Sequence, residues 1–83
     1  MKYRENTKGQ PLSQKELDII NLVAKGFTSK EIGKTLNKSW ETIRGQLNSI
    51  NHKLDTKTRT GAVIKSIQLG LIKVDEVIVQ NRN

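Results

Sequence analysis

The fold is decided by residues 28–54, TSKEIGKTLNKSWETIRGQLNSINHKL, because they contain the start signals of two helices in close succession. Thr28 and Glu31 match a capping box, in which each side chain accepts a hydrogen bond from the other residue's backbone N–H. Ser39 is a good N-cap for a second helix that begins at Trp40. The chain must therefore change direction just before Ser39, which predicts two short helices joined by a tight polar turn.

Both predicted helices have one apolar face. In the first, over about 29–37, Ile32 and Leu36 lie four residues apart and so share a side. The second, over about 40–54, has apolar side chains at helical spacing, namely Ile43, Leu47, Ile50 and Leu54. Its other side is polar and holds Glu41, Arg44, Gly45, Asn48 and His52. This pattern predicts a helix-turn-helix, and its second helix presents the kind of face that enters the groove of duplex DNA.

A further helix is predicted on the N-terminal side, over about 14–25. Ser13 and Glu16 match another capping box, and Leu12 can pack on Leu17 across it. Gly26 supplies a left-handed C-cap. Its apolar positions are Leu17, Ile20, Val23 and Ala24, widened by Ile19 and Leu22.

A fourth helix is predicted over about 59–69, with Thr58 or Thr60 as its N-cap and Gly70 as its stop. It is marked by Val63, Ile64, Ile67 and Leu71. After it, valine and isoleucine favour a strand whereas Asp75 and Glu76 could open a helix. We expect a short final helix or an extended tail.

The chain has 83 residues and no cysteine, which excludes disulfides and zinc–thiolate sites. We expect an all-α fold in one small domain. The predicted parts are a flexible N-terminal arm over 1–11, the helix-turn-helix domain over 12–72 and a C-terminal tail over 73–83, a possible dimer contact.

A net charge of +7, from 15 basic and 8 acidic residues, favours a polyanionic partner. The excess is spread along the chain instead of forming the polybasic block typical of lipid-binding segments. No apolar run approaches the roughly 20 residues that a bilayer span needs, and no signal peptide is visible. We therefore expect a cytoplasmic protein that binds nucleic acid and no membrane.

Other functional classes find little support. His52 is the single histidine, without cysteine partners, so we expect neither a metal nor a cofactor. Asp75 and Glu76 are adjacent and would diverge on a helix, which suits a cap better than acid–base catalysis. RNA binding is disfavoured because single-stranded recognition stacks bases on aromatic rings, and the chain has one Trp, one Tyr and one Phe. We expect no enzymatic activity.

A series of short motifs extends in one order from Leu12 to Ile72. The first helix opens with Leu12, Ser13, Lys15 and Glu16 and leaves through Ala24 and Gly26. The next opens with Thr28, Ser29, Lys30, Glu31, Ile32 and Gly33, and the third carries Ser39, Thr42, Ile43 and Arg44. Downstream lie Lys53, Leu54, Arg59, Ala62, Val63, Gly70, Leu71 and Ile72. In this order the series resembles the LuxR-type (GerE-like) helix-turn-helix DNA-binding domain.

The resemblance implies a four-helix domain whose third helix enters the major groove and whose fourth often supports dimers. Many relatives carry a sensing domain before this module, and since only ten residues precede Pro11 we expect a stand-alone effector. Three positions depart from the family pattern: Lys38 replaces Ile or Val, Gln46 replaces His, and Gly33 replaces Ala. These departures predict a turn that is packed differently or more loosely.

Recognition helices read bases with their first turns, which makes Arg44, Gly45 and Asn48 the candidate base contacts. Arg44 could pair with guanine and Asn48 with adenine, although Arg44 could instead pair with Glu41. Gly45 is unfavourable inside a helix; either it lets DNA approach closely or it is simply tolerated.

Candidate phosphate ligands lie at helix N-termini or carry a positive charge. They are Thr28, Ser29, Lys30, Thr42 and Lys53. Thr28 should act first as a cap. Trp40 could pack on the sugar-phosphate backbone or cover the turn, and we favour packing within the protein.

We expect a sequence-specific transcriptional regulator that binds as a homodimer to an inverted repeat. The candidate dimer residues are Val63, Ile67, Val74, Val77 and Ile78. The alternative is a protein-interaction module that binds another regulator or RNA polymerase, which Lys38 and Gln46 keep open.

Overall fold

Four α-helices make up the computed structural model, which describes residues 11–73. They are α1 (Gln14–Ala24), α2 (Ser29–Leu36), α3 (Trp40–Leu54) and α4 (Arg59–Gln68). All four predicted helices and the all-α fold are confirmed, with helix ends within one residue of the expected positions. Residues 1–10 of the predicted arm and residues 74–83 of the predicted tail lie outside the described residues.

The N-caps that the sequence predicts determine where each helix begins. Ser13 and Thr28 each form a complete capping box with the glutamate three residues on. At α4, the hydroxyl of Thr58 accepts from the Gly61 N–H at 2.9 Å, so Thr58 is the cap and Thr60 is not.

The turn between α2 and α3 is built from backbone contacts. Asn37 adopts the left-handed conformation with φ 60°, which reverses the chain, and the Lys38 N–H then donates to the Gly33 carbonyl at 2.7 Å. Ser39 follows as the cap of α3 and accepts from the Thr42 N–H at 3.1 Å. The turn is therefore short and held at both ends.

Gly33 is required by this turn. A Cβ placed there would lie 2.5 Å from the backbone oxygen of Lys38, closer than real Cβ contacts allow. The turn thus lies directly against α2, so of the two expected alternatives, different or looser packing, the looser one does not hold. The absence of a side chain at Gly33 allows the two segments to touch.

All four helices share one hydrophobic core. From α3 the whole predicted stripe is buried, and Ile20 of α1 and Ile32 of α2 have no exposed surface. On α4 the buried residues are the small Ala62 and Ser66, while Ile64 keeps 51% of its surface exposed. Small side chains on the inner face let α4 pack closely against α1.

No helix within residues 11–73 combines the length and the apolar character needed to cross a bilayer.

Candidate nucleic-acid interface

The polar side of α3 is exposed along its length. Arg44, Gly45 and Asn48 are all exposed, while the buried stripe of the same helix faces the core. The predicted base-contact residues therefore share one accessible helical face, as the helical period requires.

A cleft forms where this face meets the start of α2. This α2–α3 cleft has a volume of about 530 Å³ and includes five of the eight predicted DNA contacts. It is lined by Thr28, Ser29, Lys30, Trp40, Arg44, Leu47, Asn48 and Arg59. Among these described lining residues three are cationic and none is acidic, so the cleft is electropositive and suits a polyanion.

Gly45 is the remaining predicted base contact, and it lies on the exposed face beside Arg44. A Cβ built on Gly45 meets no protein atom within 4 Å, in contrast to Gly33. The fold of residues 11–73 does not need glycine at this position.

Arg44 has an aromatic partner. Its Cζ lies 5.0 Å from the centroid of the Trp40 ring, within the range of a cation–π contact one helical turn apart. No ion pair with Glu41 forms within the described part of the chain, so that alternative is not adopted. Trp40 is 38% exposed. Its ring supports the guanidinium and is only partly covered by protein.

The N-terminus of α2 borders the cleft. The Thr28 hydroxyl accepts from the Glu31 N–H at 3.1 Å, so Thr28 is a cap as expected. Lys30 is exposed next to it, and Ser29 is half-buried. Thr42 is exposed on α3, where its hydroxyl accepts from that of Ser39 at 2.9 Å.

Lys53 already has a partner within the protein. Its Nζ lies 2.9 Å from both carboxylate oxygens of Glu16, which joins α3 to α1. Burial alone would raise the pKa of Glu16, but hydrogen bonds from the Ser13 N–H and Lys53, with the Lys53 charge, lower it overall. Lys53 is outside the α2–α3 cleft, and its role as a phosphate contact stays a prediction.

Arg59 is a cleft residue that sequence reasoning did not assign to the site. Its Nη2 donates to the Phe27 carbonyl at 3.2 Å, which ties the start of α4 to the segment before α2. In the sequence, the second part of α3 and a loop separate it from Arg44. Only the packing of α4 brings the two cations into one cleft.

Residues 10–66 match the family model described as "Bacterial regulatory proteins, luxR family". Among curated proteins, the chain is 38% identical over 64 residues to the transcriptional regulatory protein YdfI of Bacillus subtilis, covering 77% of this chain and 30% of that protein. It is 32% identical to DegU of Brevibacillus brevis, over 76% of this chain and 27% of DegU. It is 34% identical to VraR of Staphylococcus aureus, over 75% of this chain and 30% of VraR. The chain thus spans less than a third of the length of these relatives.

A solved structure of the transcription factor GerE has a similar fold. The two superpose with a TM-score of 0.72 at 26% sequence identity, over 75% of this chain and 92% of that one. The four-helix arrangement is therefore that of a known transcription factor.

Proposed function

Because the chain belongs to the LuxR family of bacterial regulatory proteins, which are DNA-binding transcriptional regulators and not enzymes, we propose that it reads duplex DNA with α3 in the major groove. The observation that supports this proposal most is the α2–α3 cleft, which is lined by Lys30, Arg44 and Arg59 and by no acidic residue among those described. The expected LuxR-type resemblance and the absence of enzymatic function agree with the family.

In this proposal three residues of α3 contact base edges. Arg44 donates to guanine and Asn48 pairs with adenine, each discriminating by about 1–3 kcal/mol. Gly45 between them leaves room for the base pairs, which is supported by the open space around its Cα. All three are exposed on the same face.

The DNA backbone is held by groups around the edge of the cleft. Ser29 and Lys30 lie at the N-terminus of α2, where the helix dipole favours a phosphate. Thr28 is the N-cap at the same end of the helix. Thr42 is exposed at the start of α3. We add Arg59 to this set. Lys53 donates two of its three N–H groups to Glu16, whose carboxylate offsets its charge, so Lys53→Gln should change the salt dependence less than Lys30→Gln does.

We also propose a homodimer on an inverted repeat with half-sites about one helical turn apart. Ile64 on α4 and Leu69 at its C-cap are exposed, whereas Val63 and Ile67 are half-buried against the core. The other predicted dimer residues, Val74, Val77 and Ile78, lie outside the described residues. A cytoplasmic location remains a prediction that fits a DNA partner.

The alternative proposal is a module that binds another regulator or RNA polymerase. It rested on Lys38, which is exposed, and on Gln46, which is half-buried with no hydrogen-bond partner for its Oε1 within the described structure. Gln46 thus contributes little exposed surface, and the DNA proposal accounts better for the charge of the cleft.

Selection of preferred sites from a random duplex pool tests the proposed function. We expect an enriched inverted repeat, bound more tightly than random duplex, with an affinity that falls steeply with salt. A chain that binds RNA polymerase independently of salt and enriches no duplex would contradict DNA reading and favour the alternative.

A further inference from the structure

A second groove adjoins the α2–α3 cleft on the outer side of α2. This groove, called the lysine groove below, has a volume of about 680 Å³ and is formed by α2, the turn and the start of α3. It is lined by Lys30, Glu31, Gly33, Lys34, Asn37, Lys38, Ser39 and Trp40. The DNA contacts proposed above include neither Lys34 nor Lys38.

The lysine groove is positively charged, and its two additional lysines have no ion-pair partner within residues 11–73. These two lysines, Lys34 and Lys38, are both exposed. Glu31 is the one acidic lining residue, and its carboxylate accepts from the Thr28 N–H at 2.9 Å in the capping box. The groove therefore presents three ammonium groups around one carboxylate that already serves as a cap.

The lysine groove is continuous with the α2–α3 cleft. Lys30 and Trp40 line both, so they form the shared wall between them. Lys34 follows Lys30 by four residues and lies on the same face of α2. A chain of phosphates that crosses the cleft at Lys30 would next meet Lys34 and Lys38.

We propose that the lysine groove binds the DNA backbone that flanks the base pairs read by α3, with Lys34 and Lys38 as additional phosphate contacts. This inference rests on the proposed function and extends its surface. An acidic protein segment would also match the charge. The shared wall with a cleft suited to duplex DNA favours the nucleic acid, because one polyanion can then occupy both surfaces.

The test compares two double variants of the full chain with equal loss of charge. Lys34→Gln with Lys38→Gln removes the groove lysines, while Lys15→Gln with Lys65→Gln removes two lysines that line neither groove. All four are near the surface, and circular dichroism checks that both variants fold. Binding to the selected duplex is measured between 50 and 200 mM salt, with short and with extended flanks.

For the groove variant we expect the slope of log affinity against log salt to fall by about two units. Between 50 and 200 mM salt this makes the loss of affinity about tenfold smaller than in the wild type. Extended flanks should strengthen DNA binding by the wild type and by the control variant. They should strengthen binding by the groove variant only slightly. The preference among operator bases should persist in all three proteins.

Three other outcomes would overturn the lysine-groove proposal or the proposed function. If the wild type binds selectively and the two double variants show equal slopes and equal flank effects, the lysine-groove proposal is overturned while the proposed function stands. If the groove variant keeps its DNA behaviour but loses binding to RNA polymerase, the groove belongs to a protein partner and the proposal is likewise overturned. If the wild type selects no duplex at all, the proposed function itself fails.

Discussion

At the scale of single residues, Trp40 contacts Arg44, which we propose as a base reader. The cation–π contact holds the Arg44 guanidinium over the ring at 5.0 Å, which restricts a long side chain before DNA arrives. Within the proposed function Trp40 is thus a positioning residue, and it lines both grooves.

Trp40→Ala should weaken binding to the preferred duplex by about 0.5–1 kcal/mol, the usual size of an exposed cation–π contact. Trp40→Phe should restore part of the loss because it keeps an aromatic face. The measurement is a double-mutant cycle with Arg44→Ala by fluorescence anisotropy of labelled duplex. Equal effects of Trp40→Ala in the presence and absence of Arg44 would show that the ring acts independently of the guanidinium.

Glu16 predicts a pH dependence of stability. Its pKa is lowered in the folded chain, so its contribution is fully present above the ordinary value of 4.5 and is lost as the pH falls through the lowered pKa. Glu16→Gln should cost about 1.5 kcal/mol at neutral pH. It should also remove this part of the acid dependence, as measured by urea unfolding at several pH values. Parallel pH curves for both proteins would contradict the lowered pKa of Glu16.

At the scale of elements, two glycines in neighbouring helices have opposite roles. Gly33→Ala should destabilise the domain by about 1–3 kcal/mol, since the new methyl group meets the Lys38 backbone. Gly45→Ala should stabilise it by about 1 kcal/mol through helix propensity, because the space is open.

The DNA affinity of Gly45→Ala separates the two explanations of this glycine. If Gly45 admits base pairs closely, the variant should be more stable yet bind the preferred duplex more weakly. Thermal unfolding and anisotropy on the same samples measure both quantities. A stabilised variant with unchanged affinity would mean that the glycine is merely tolerated.

Element boundaries were predictable because each start signal is local. The pairs Ser13–Glu16 and Thr28–Glu31 and the single caps Ser39 and Thr58 lie within one turn of the backbone groups they bind. The buried stripe of α3 followed from its period for the same reason.

The sequence patterns did not predict the contacts between residues that are far apart in the chain. The inner face of α4 is formed by Ala62 and Ser66, because close packing against a neighbour selects small side chains over the larger apolar ones. Arg59 joins the cleft, and Lys53 pairs with Glu16, only through the arrangement of separate helices. The requirement for Gly33 likewise arises from a turn that folds back on its own helix.

At the scale of the whole molecule, the proposed homodimer requires an apolar surface on which two copies pack. Ile64 keeps 51% of its surface exposed on α4, on the side away from the core. Ile64→Asp should weaken self-association by about 2 kcal/mol, since burial of an aliphatic side chain at an interface contributes about that much.

Sedimentation equilibrium, with and without operator DNA, measures this effect. Thr35→Asp, an exposed change on α2, is the matched control and should leave association unchanged. If both variants associate as the wild type does, α4 is not the dimer surface. A wild type that is monomeric at high concentration and on DNA would contradict the dimer itself.

The central claim, that the exposed face of α3 reads base sequence, is tested most directly by comparing Arg44→Ala with Lys30→Ala on preferred and random duplexes. Arg44→Ala should cost about 1–3 kcal/mol on the preferred duplex and much less on random DNA, so that selectivity falls. Lys30→Ala should weaken both duplexes alike and lower the salt slope by about one unit. Equal losses on both duplexes for Arg44→Ala would contradict base reading by this face.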